Sequence, residues 1–406
     1  MRITTIAEST YQLSMNLEGV LFEGVWDIPN GVSLNSYIIK GEKTAIIDGF
    51  TGAEVSPESL LSMLECLEIN PKSIEYLVVN HMEPDHSGWL KSFKKINPDF
   101  IILCSKKAKD LLEVFYGHTD NIQCVSEGDE FDLGNGHMLK FIEIPNVHWP
   151  DTIATFDQNT GVLFPCDLFG SFGRINDSIY ADEQTQEQLN VYENDMVRYF
   201  SNVLATFSPS AKKAAEKCLT LPVKVVAPGH GLIYRNPEEI IEKYIHFANY
   251  QKGAARKEIT MIWGSMYGMT EKAVKYIEEI FKDQNVKLNV HKIPDTSWGT
   301  VLTSVWTSTG IILAMPTYEY KMFPPMASVL EEIGKKKAMG KKCFRTGSYG
   351  WSGGAQKELD EIMERHNLKW DFLPPVEFNG VPGENDYALV KERVLELISE
   401  VNLLTK

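Results

Sequence analysis

Short apolar runs alternate along this chain with stretches in which apolar residues recur every three or four positions. The first pattern predicts buried strands and the second amphipathic helices. Residues 36–47 read as two strands around Gly41-Glu42-Lys43, and residues 57–67 as a helix. Residues 76–80, 100–104, 138–144 and 223–227 read as further strands. Residues 185–207 form one long amphipathic segment, predicted helical, and 238–250 a helix opened by Asn236-Pro237. The small, basic stretch 251–257 reads as a linker. A different rhythm follows: strand 258–263, polar loop 264–270, helix 271–281, and further strands at 311–314 and 343–345. Such alternation predicts a doubly wound parallel sheet. The chain is thus expected to hold two α/β domains, 1–250 and 258–406, on either side of the linker. It shows no internal repeat and no low-complexity tract.

Composition narrows the class. With 406 residues and 43% hydrophobic content the chain can bury two cores, and its formal net charge of -15 argues against non-specific nucleic-acid binding. The amino-terminal residues carry no apolar signal core, and no uncharged apolar stretch approaches membrane-spanning length. The six cysteines form no C-x-x-C pair, which disfavours zinc ribbons, rubredoxin-type centres and thioredoxin motifs. Most sit in apolar runs and are expected to pack as small hydrophobes. A reducing, cytoplasmic setting is expected.

The densest chemistry lies in His81-Met82-Glu83-Pro84-Asp85-His86, where four potential metal ligands follow the apolar run 76–80. A strand exit fixes the backbone while the loop splays the side chains. That density predicts a metal site, and one for more than a single ion. His148, Asp167 and His230 repeat the same grammar, each following an apolar run. His118, His137, His246, His291 and His366 lack that context and are expected to be structural.

This arrangement resembles the metallo-β-lactamase fold, whose signature is His-x-His-x-Asp-His followed by a later His, an Asp and a last His, binding two metals. Position 83 departs from it, with Glu where the zinc hydrolases carry His. A carboxylate is a harder ligand and favours iron in a mixed nitrogen and oxygen site. That exchange marks the flavodiiron proteins, O2- or NO-reducing relatives of the hydrolases, which the chain resembles over nearly its whole length. The likeness includes Asn35-Ser36-Tyr37, His148-Trp149-Pro150-Asp151 and Gly229-His230-Gly231. The resemblance implies that His81, Glu83 and His148 hold one iron, Asp85 and His230 the other, and that Asp167 bridges them. It leaves His86 open, since the family's equivalent residue is a ligand in some cases and displaced by water in others. Asp151 is expected to fix the tautomer of a ligand imidazole, and Tyr192 to reach the open face and donate a hydrogen bond to bound gas.

In the carboxyl-terminal half, Ser265-Met266-Tyr267-Gly268-Met269-Thr270 lies between a strand and a helix, where hydroxyls and N–H groups form an anion site. The loop resembles the phosphate-binding loop of flavodoxins. Pro316-Thr317-Tyr318-Glu319-Tyr320 and Ser348-Tyr349-Gly350-Trp351-Ser352-Gly353 leave two other strands on the ligand-binding edge of such a sheet. Their aromatic rings suit an isoalloxazine, with Trp351 as the expected shield. Similarity to the flavodoxin-like half of flavodiiron proteins implies FMN.

The resemblance further implies reduction of O2 to water, of NO to N2O, or of both, with electrons supplied through FMN by an external rubredoxin, a flavin reductase or a reduced deazaflavin. It implies a head-to-tail homodimer, or a dimer of dimers, in which the FMN of one copy serves the irons of the other. The alternatives are a binuclear metallo-hydrolase fused to a flavodoxin domain, which Glu83 disfavours, and a pure electron carrier with a degenerate metal domain, which the intact ligand set disfavours.

Overall fold

The computed structural model describes residues 1–50 and 58–405 and resolves two compact units. Unit one comprises residues 1–200 and 207–246, and unit two 201–206 and 247–406.

Unit one is an αβ/βα sandwich. Its larger sheet has seven strands in the order Arg2–Ala7, Thr10–Leu17, Val32–Lys40, Thr44–Ile47, Tyr76–Val79, Ile101–Cys104 and Ile122–Cys124. Pairing is antiparallel as far as Thr44–Ile47 and parallel beyond it. The second sheet runs Glu130–Gly134, His137–Glu143, Ile153–Asp157, Val162–Phe164 and Val225–Val226. Strand Tyr76–Val79 is buried on both faces, as continuous apolar runs in parallel sheets are. Leu77 and Val79 pack with the helix residues Leu60, Leu64 and Phe93. Between the sheets, Tyr37 meets Phe164 with ring centroids 5.0 Å apart. Each fully buried side chain of this kind contributes about 1.5–3 kcal/mol.

Unit two has a six-stranded, all-parallel sheet. Strand Lys287–Lys292 lies at one edge, followed by Arg256–Trp263, Ser308–Ala314 and Lys342–Tyr349; Asp371–Phe372 and Val376–Asn379 both pair with the last of these. This is the strand order of a flavodoxin-like sheet. Ile259, Met261, Ile312 and Phe344 pack with Val274 and Ile277 of helix Met269–Phe281 and with Val390 and Leu397 of helix Glu384–Leu404.

Two segments differ from expectation. The stretch 185–207 is not one helix: Gln186–Tyr199 is α-helical, behind a Thr185–Gln188 capping box, then gives way to a π-turn Phe200–Leu204 and a 3-10 turn Ala205–Phe207. Residues 199–205 are buried without interruption, so no polar stripe holds them to a regular amphipathic helix. The expected linker is also structured. Tyr250–Lys252 is a 3-10 turn, Ala255 N–H donates to Thr309 Oγ1 at 2.9 Å, and the strand starts at Arg256. The expected helix 57–67 is Glu58–Cys66, and Pro57 lies outside the described residues.

Candidate metal and flavin sites

Strand Tyr76–Val79 ends just before Asn80, which is clamped by a buried carboxylate. Asp48 Oδ1 accepts the Asn80 N–H at 2.8 Å and Oδ2 the Asn80 amide at 2.9 Å, while Asn80 Oδ1 accepts from Thr155 Oγ1 at 2.7 Å. His81 therefore leaves the sheet from a fixed point. Pro84 opens the single helical turn Pro84–Ser87, which carries Asp85 and His86 on consecutive residues. Ser87 Oγ closes the turn by donating to the Met82 carbonyl at 2.8 Å.

Seven side chains converge here in two groups around Asp167. On one side His148 Nε2 lies 2.8 Å from Glu83 Oε2 and 3.0 Å from Asp167 Oδ2, and His81 Nε2 lies 3.2 and 3.4 Å from the same two oxygens. On the other side Asp167 Oδ1 lies 2.9 Å from His86 Nε2 and 3.4 Å from His230 Nε2, while Asp85 Oδ2 lies 3.6 and 3.3 Å from those nitrogens. Each oxygen of Asp167 faces its own donor set. His86 stands in the second group on the same footing as His230.

The electrostatics favour a cation. Burial works against charge on Glu83, yet hydrogen bonds from His148 and His81 hold it down at about 2. Burial likewise opposes the charged imidazoles. The Asp167 and Glu83 partners nonetheless push His148 up to about 10, and the Asp85 and Asp167 charges push His86 up to about 9. His230 is raised and Asp167 lowered for the same reasons. Both Asp85 carboxylate oxygens, Asp167 Oδ2 and His230 Nε2 have no hydrogen-bond partner among the described residues, although all are buried. Buried donors left open to one another fit two divalent ions. With imidazole and carboxylate predominating, the set suits iron.

Supporting contacts differ from two expectations. Asp151 does not hold an imidazole: its Oδ2 accepts the Met82 N–H at 2.9 Å, pinning the backbone between His81 and Glu83. The partner of His81 Nδ1 is instead Thr152 Oγ1 at 3.3 Å, and that of His230 Nδ1 is the Ser33 carbonyl at 3.0 Å. Tyr192 directs its hydroxyl to the Leu232 N–H at 2.6 Å, two residues past His230. A Cβ at Gly231 (φ +86) would lie 2.1 Å from that oxygen, so Gly231 is what lets Tyr192 brace the loop.

The tyrosine whose ring lies beside His230 is Tyr199. Its ring centroid lies 5.8 Å from that of His230, and its fully buried hydroxyl has no hydrogen-bond partner among the described residues. Burial and then the Asp167 charge hold that hydroxyl protonated. Its only sequence signal is its position two helical turns after Tyr192, on the same face. Glu23 carries no such signal in the sequence; its Oε1 lies 4.0 Å from His148 Nδ1 while Oε2 accepts Trp26 Nε1–H at 2.8 Å. A cavity of about 280 Å³ leads to Glu83 and Asp85 between Leu17, Val20, Phe22 and Leu34.

In unit two the three expected loops come together at the carboxyl ends of the parallel strands. Ser265 Oγ accepts the Gly268 N–H at 3.0 Å, shaping the turn before helix Met269–Phe281. Thr270 Oγ1 lies 3.0 Å from Ser348 Oγ, joining the first loop to the third, and Thr317 Oγ1 accepts the Ala355 N–H at 3.4 Å, joining the second to the third. Tyr267, Tyr320 and Trp351 are exposed, and the rings of the last two meet edge to face at 6.4 Å. Open aromatic faces above a hydroxyl-rich helix start fit a flavin phosphate and ring.

Comparison with known proteins agrees with this geometry. The model of the ODP family beta lactamase matches residues 32–231. The chain is 34% identical over 347 residues to the anaerobic nitric oxide reductase flavorubredoxin of Vibrio vulnificus, covering 84% of this chain and 67% of that one. The chain thus spans about two thirds of the length of such relatives. A variant of the flavo di-iron protein from Thermotoga maritima superposes with a TM-score of 0.88 at 29% identity, over 98% of this chain and 99% of that one. The rubredoxin oxygen:oxidoreductase of Desulfovibrio gigas superposes with a TM-score of 0.91 over 99% of both chains; at 24% identity it speaks to the fold.

Proposed function

The chain belongs to the flavodiiron protein family, oxidoreductases that use FMN and a binuclear iron centre, and from that premise we propose that it reduces O2 to water, NO to N2O, or both. The observation that carries the proposal is the division of Asp167 between two donor sets. Asp167 would bridge the irons, with His81, Glu83 and His148 on one and Asp85, His86 and His230 on the other. The flavin loops 265–270, 316–320 and 348–353 would hold FMN. When bound, the irons and FMN supply the electrons and the open coordination positions for gas reduction.

The protein's own groups account for the rest. Glu83, Asp85 and Asp167 offset most of the charge of two ferrous ions. The apolar cavity walls Leu17, Val20, Phe22 and Leu34 suit a small uncharged molecule on its way to Glu83 and Asp85. The Tyr199 ring beside His230, with its protonated and unpartnered hydroxyl, supports Tyr199 as a hydrogen-bond and proton donor to what lies between the ligands. Reducing O2 consumes four electrons and four protons, and coupling two NO consumes two of each, so either reaction draws protons into the buried site, and a protonated hydroxyl beside it would serve that supply.

The electrons come from an external donor, a rubredoxin, a flavin reductase or a reduced deazaflavin, and pass between copies in a head-to-tail homodimer or a dimer of dimers. No helix among the described residues is long and apolar enough to cross a membrane. The six cysteines are free, which supports a cytoplasmic setting. The test is anaerobic stopped-flow of the reduced protein against O2 and NO separately, with metal analysis of the same preparation. Two irons and rapid oxidation by at least one gas are expected. Two zincs, no iron and no gas turnover would return the chain to the hydrolases.

A further inference from the structure

Arg345 stands in the middle of strand Lys342–Tyr349 with no exposed surface, and its partner on the next strand is the apolar Leu313. Its Nη1 lies 2.6 Å from Glu377 Oε1, yet none of its three nitrogens has an aligned hydrogen bond among the described residues. Glu377 pairs in register with Gly347, two residues past Arg345 and so on the same face of the sheet. A buried ion pair adds little or no stability over apolar residues of similar size, so packing is a weak reason for this one. The pair lies beneath the third flavin loop. Residues 377–380 hold that loop at three points. Gly380 N–H donates to the Tyr349 carbonyl at 2.9 Å, and Asn379 Nδ2 donates to the Gly350 carbonyl. Both Glu377 carboxylate oxygens lie 3.9 Å from the place a Cβ would take on Gly353.

We propose that Arg345 and Glu377 form a charge pair that sets the reduction potential of the flavin from beneath its third loop, the guanidinium favouring the reduced ring and the carboxylate opposing it. The inference rests on the flavin reading of loops 265–270, 316–320 and 348–353. Reduction places negative charge on an isoalloxazine. A fixed cation nearby stabilises that charge and a fixed anion destabilises it. Because Arg345 is shut away from water, its field is screened far less than that of a surface charge. Burial pulls the guanidinium below its ordinary value, and the charges of Glu377 and of Asp360 on helix Ala355–His366 oppose that, so it stays a cation. The pair thereby sets which donors can reduce the flavin and how readily electrons leave it for the irons.

The sign of the shift separates a charge effect from a loop brace. The FMN-loaded full-length protein is titrated anaerobically with a reductant while flavin absorbance and electrode potential are read together. Arg345→Met is expected to lower the potential for forming the hydroquinone by about tenfold in its one-electron equilibrium constant, which is about 59 mV. Glu377→Gln is expected to raise it by a similar amount. Arg345→Lys keeps the charge and should stay close to the unsubstituted protein. The double variant Arg345→Met with Glu377→Gln should return close to it as well, because the two effects cancel. Where Glu377→Gln alone does not fold, since it leaves a buried cation uncompensated, Arg345→Met against Arg345→Lys decides: a shift in the methionine variant only supports the pair, and equal shifts overturn it. Shifts of one sign in both single variants, or none, with FMN retained, overturn the inference and leave the flavin reading standing. Loss of FMN from Arg345→Met and Arg345→Lys alike overturns it too, by making the pair a brace for the loop. An unsubstituted protein that binds no FMN overturns both readings.

Discussion

Oδ1 of Asp167 lies 2.9 Å from Nε2 of His86, while Oδ2 of the same carboxylate lies 3.0 Å from Nε2 of His148. One side chain therefore faces both donor groups, and changing it should disturb both. Asp167→Asn keeps the size but has one oxygen and no formal charge. Iron per chain should fall from two to one or fewer, and gas turnover should fall at least about 100-fold, since groups that merely support ligands already cost 10–100-fold. Iron-to-protein ratios measured beside FMN content check this. Full iron occupancy in Asp167→Asn would remove the bridging role.

Much of this centre is legible in the sequence because its ligands are dense and local. His81, Glu83, Asp85 and His86 share one loop, and each later ligand follows its own apolar run. What the sequence hides is which backbone atom a supporting side chain meets. Asp151 lies next to Thr152, and only the fold shows that Thr152 reaches His81 while Asp151 takes Met82 N–H. The two tyrosines of helix Gln186–Tyr199 stand seven positions apart on one face, so periodicity cannot choose between them. The π-turn Phe200–Leu204 was hidden for another reason: unbroken burial there leaves no period to read.

The two tyrosines should separate in experiment. Tyr192→Phe deletes the bond to Leu232 N–H and leaves that buried donor unsatisfied, lowering stability by about 1–3 kcal/mol. Tyr199→Phe removes a buried hydroxyl that has no partner among the described residues, so stability should hold or rise slightly. Its turnover should fall on the order of 100-fold, as loss of a positioned proton donor does. Thermal melts run with gas-consumption assays decide it. A Tyr199→Phe enzyme with full turnover would leave the hydroxyl without a role in the chemistry.

The flavin loops make a separate prediction. At Gly354, φ is +152 and a Cβ would lie 2.1 Å from the Tyr320 carbonyl oxygen. Gly354→Ala must push the Tyr318–Tyr320 loop away from the Trp351 loop. Strain of about 1–3 kcal/mol weakens FMN binding by roughly tenfold or more. Flavin absorbance after gel filtration should show the loss while iron content is unchanged. Unaltered flavin retention would argue that these two loops do not clamp the ring.

The pH dependence of the metal-free protein follows from His148, raised to about 10, and His86, raised to about 9. Both lie above the ordinary 6.5, so their contribution to stability is fully present below that value and is lost as pH rises through 9 and 10. Buried Lys341, held down at about 7, works the other way: stability rises with pH between there and its ordinary 10.5. Lys341 does so with or without metal. The difference between the metal-free and iron-loaded melting temperatures therefore isolates the histidines, and loading should protect more at pH 10 than at pH 7. A shift of about 2–4 °C accompanies each kcal/mol for domains of this size. A difference independent of pH would mean the histidines are not paired with carboxylates when metal is absent.

The cavity over Glu83 and Asp85, about 280 Å³, is walled by Leu17, Val20, Phe22 and Leu34. Val20 is partly exposed at its mouth, while Leu34 is buried deep in the wall. Enlarging the exposed residue should narrow the path without touching a ligand or the core. Val20→Trp is therefore expected to raise the KM for gas roughly fivefold while kcat, reached at saturation, changes little. Val20→Ala serves as the control, and should leave both unchanged because the mouth is already open. The measurement is steady-state gas consumption at graded O2 and NO with iron content determined on the same samples. If Val20→Trp left KM unchanged at full iron content, gas would have to reach the metals by a path other than this cavity.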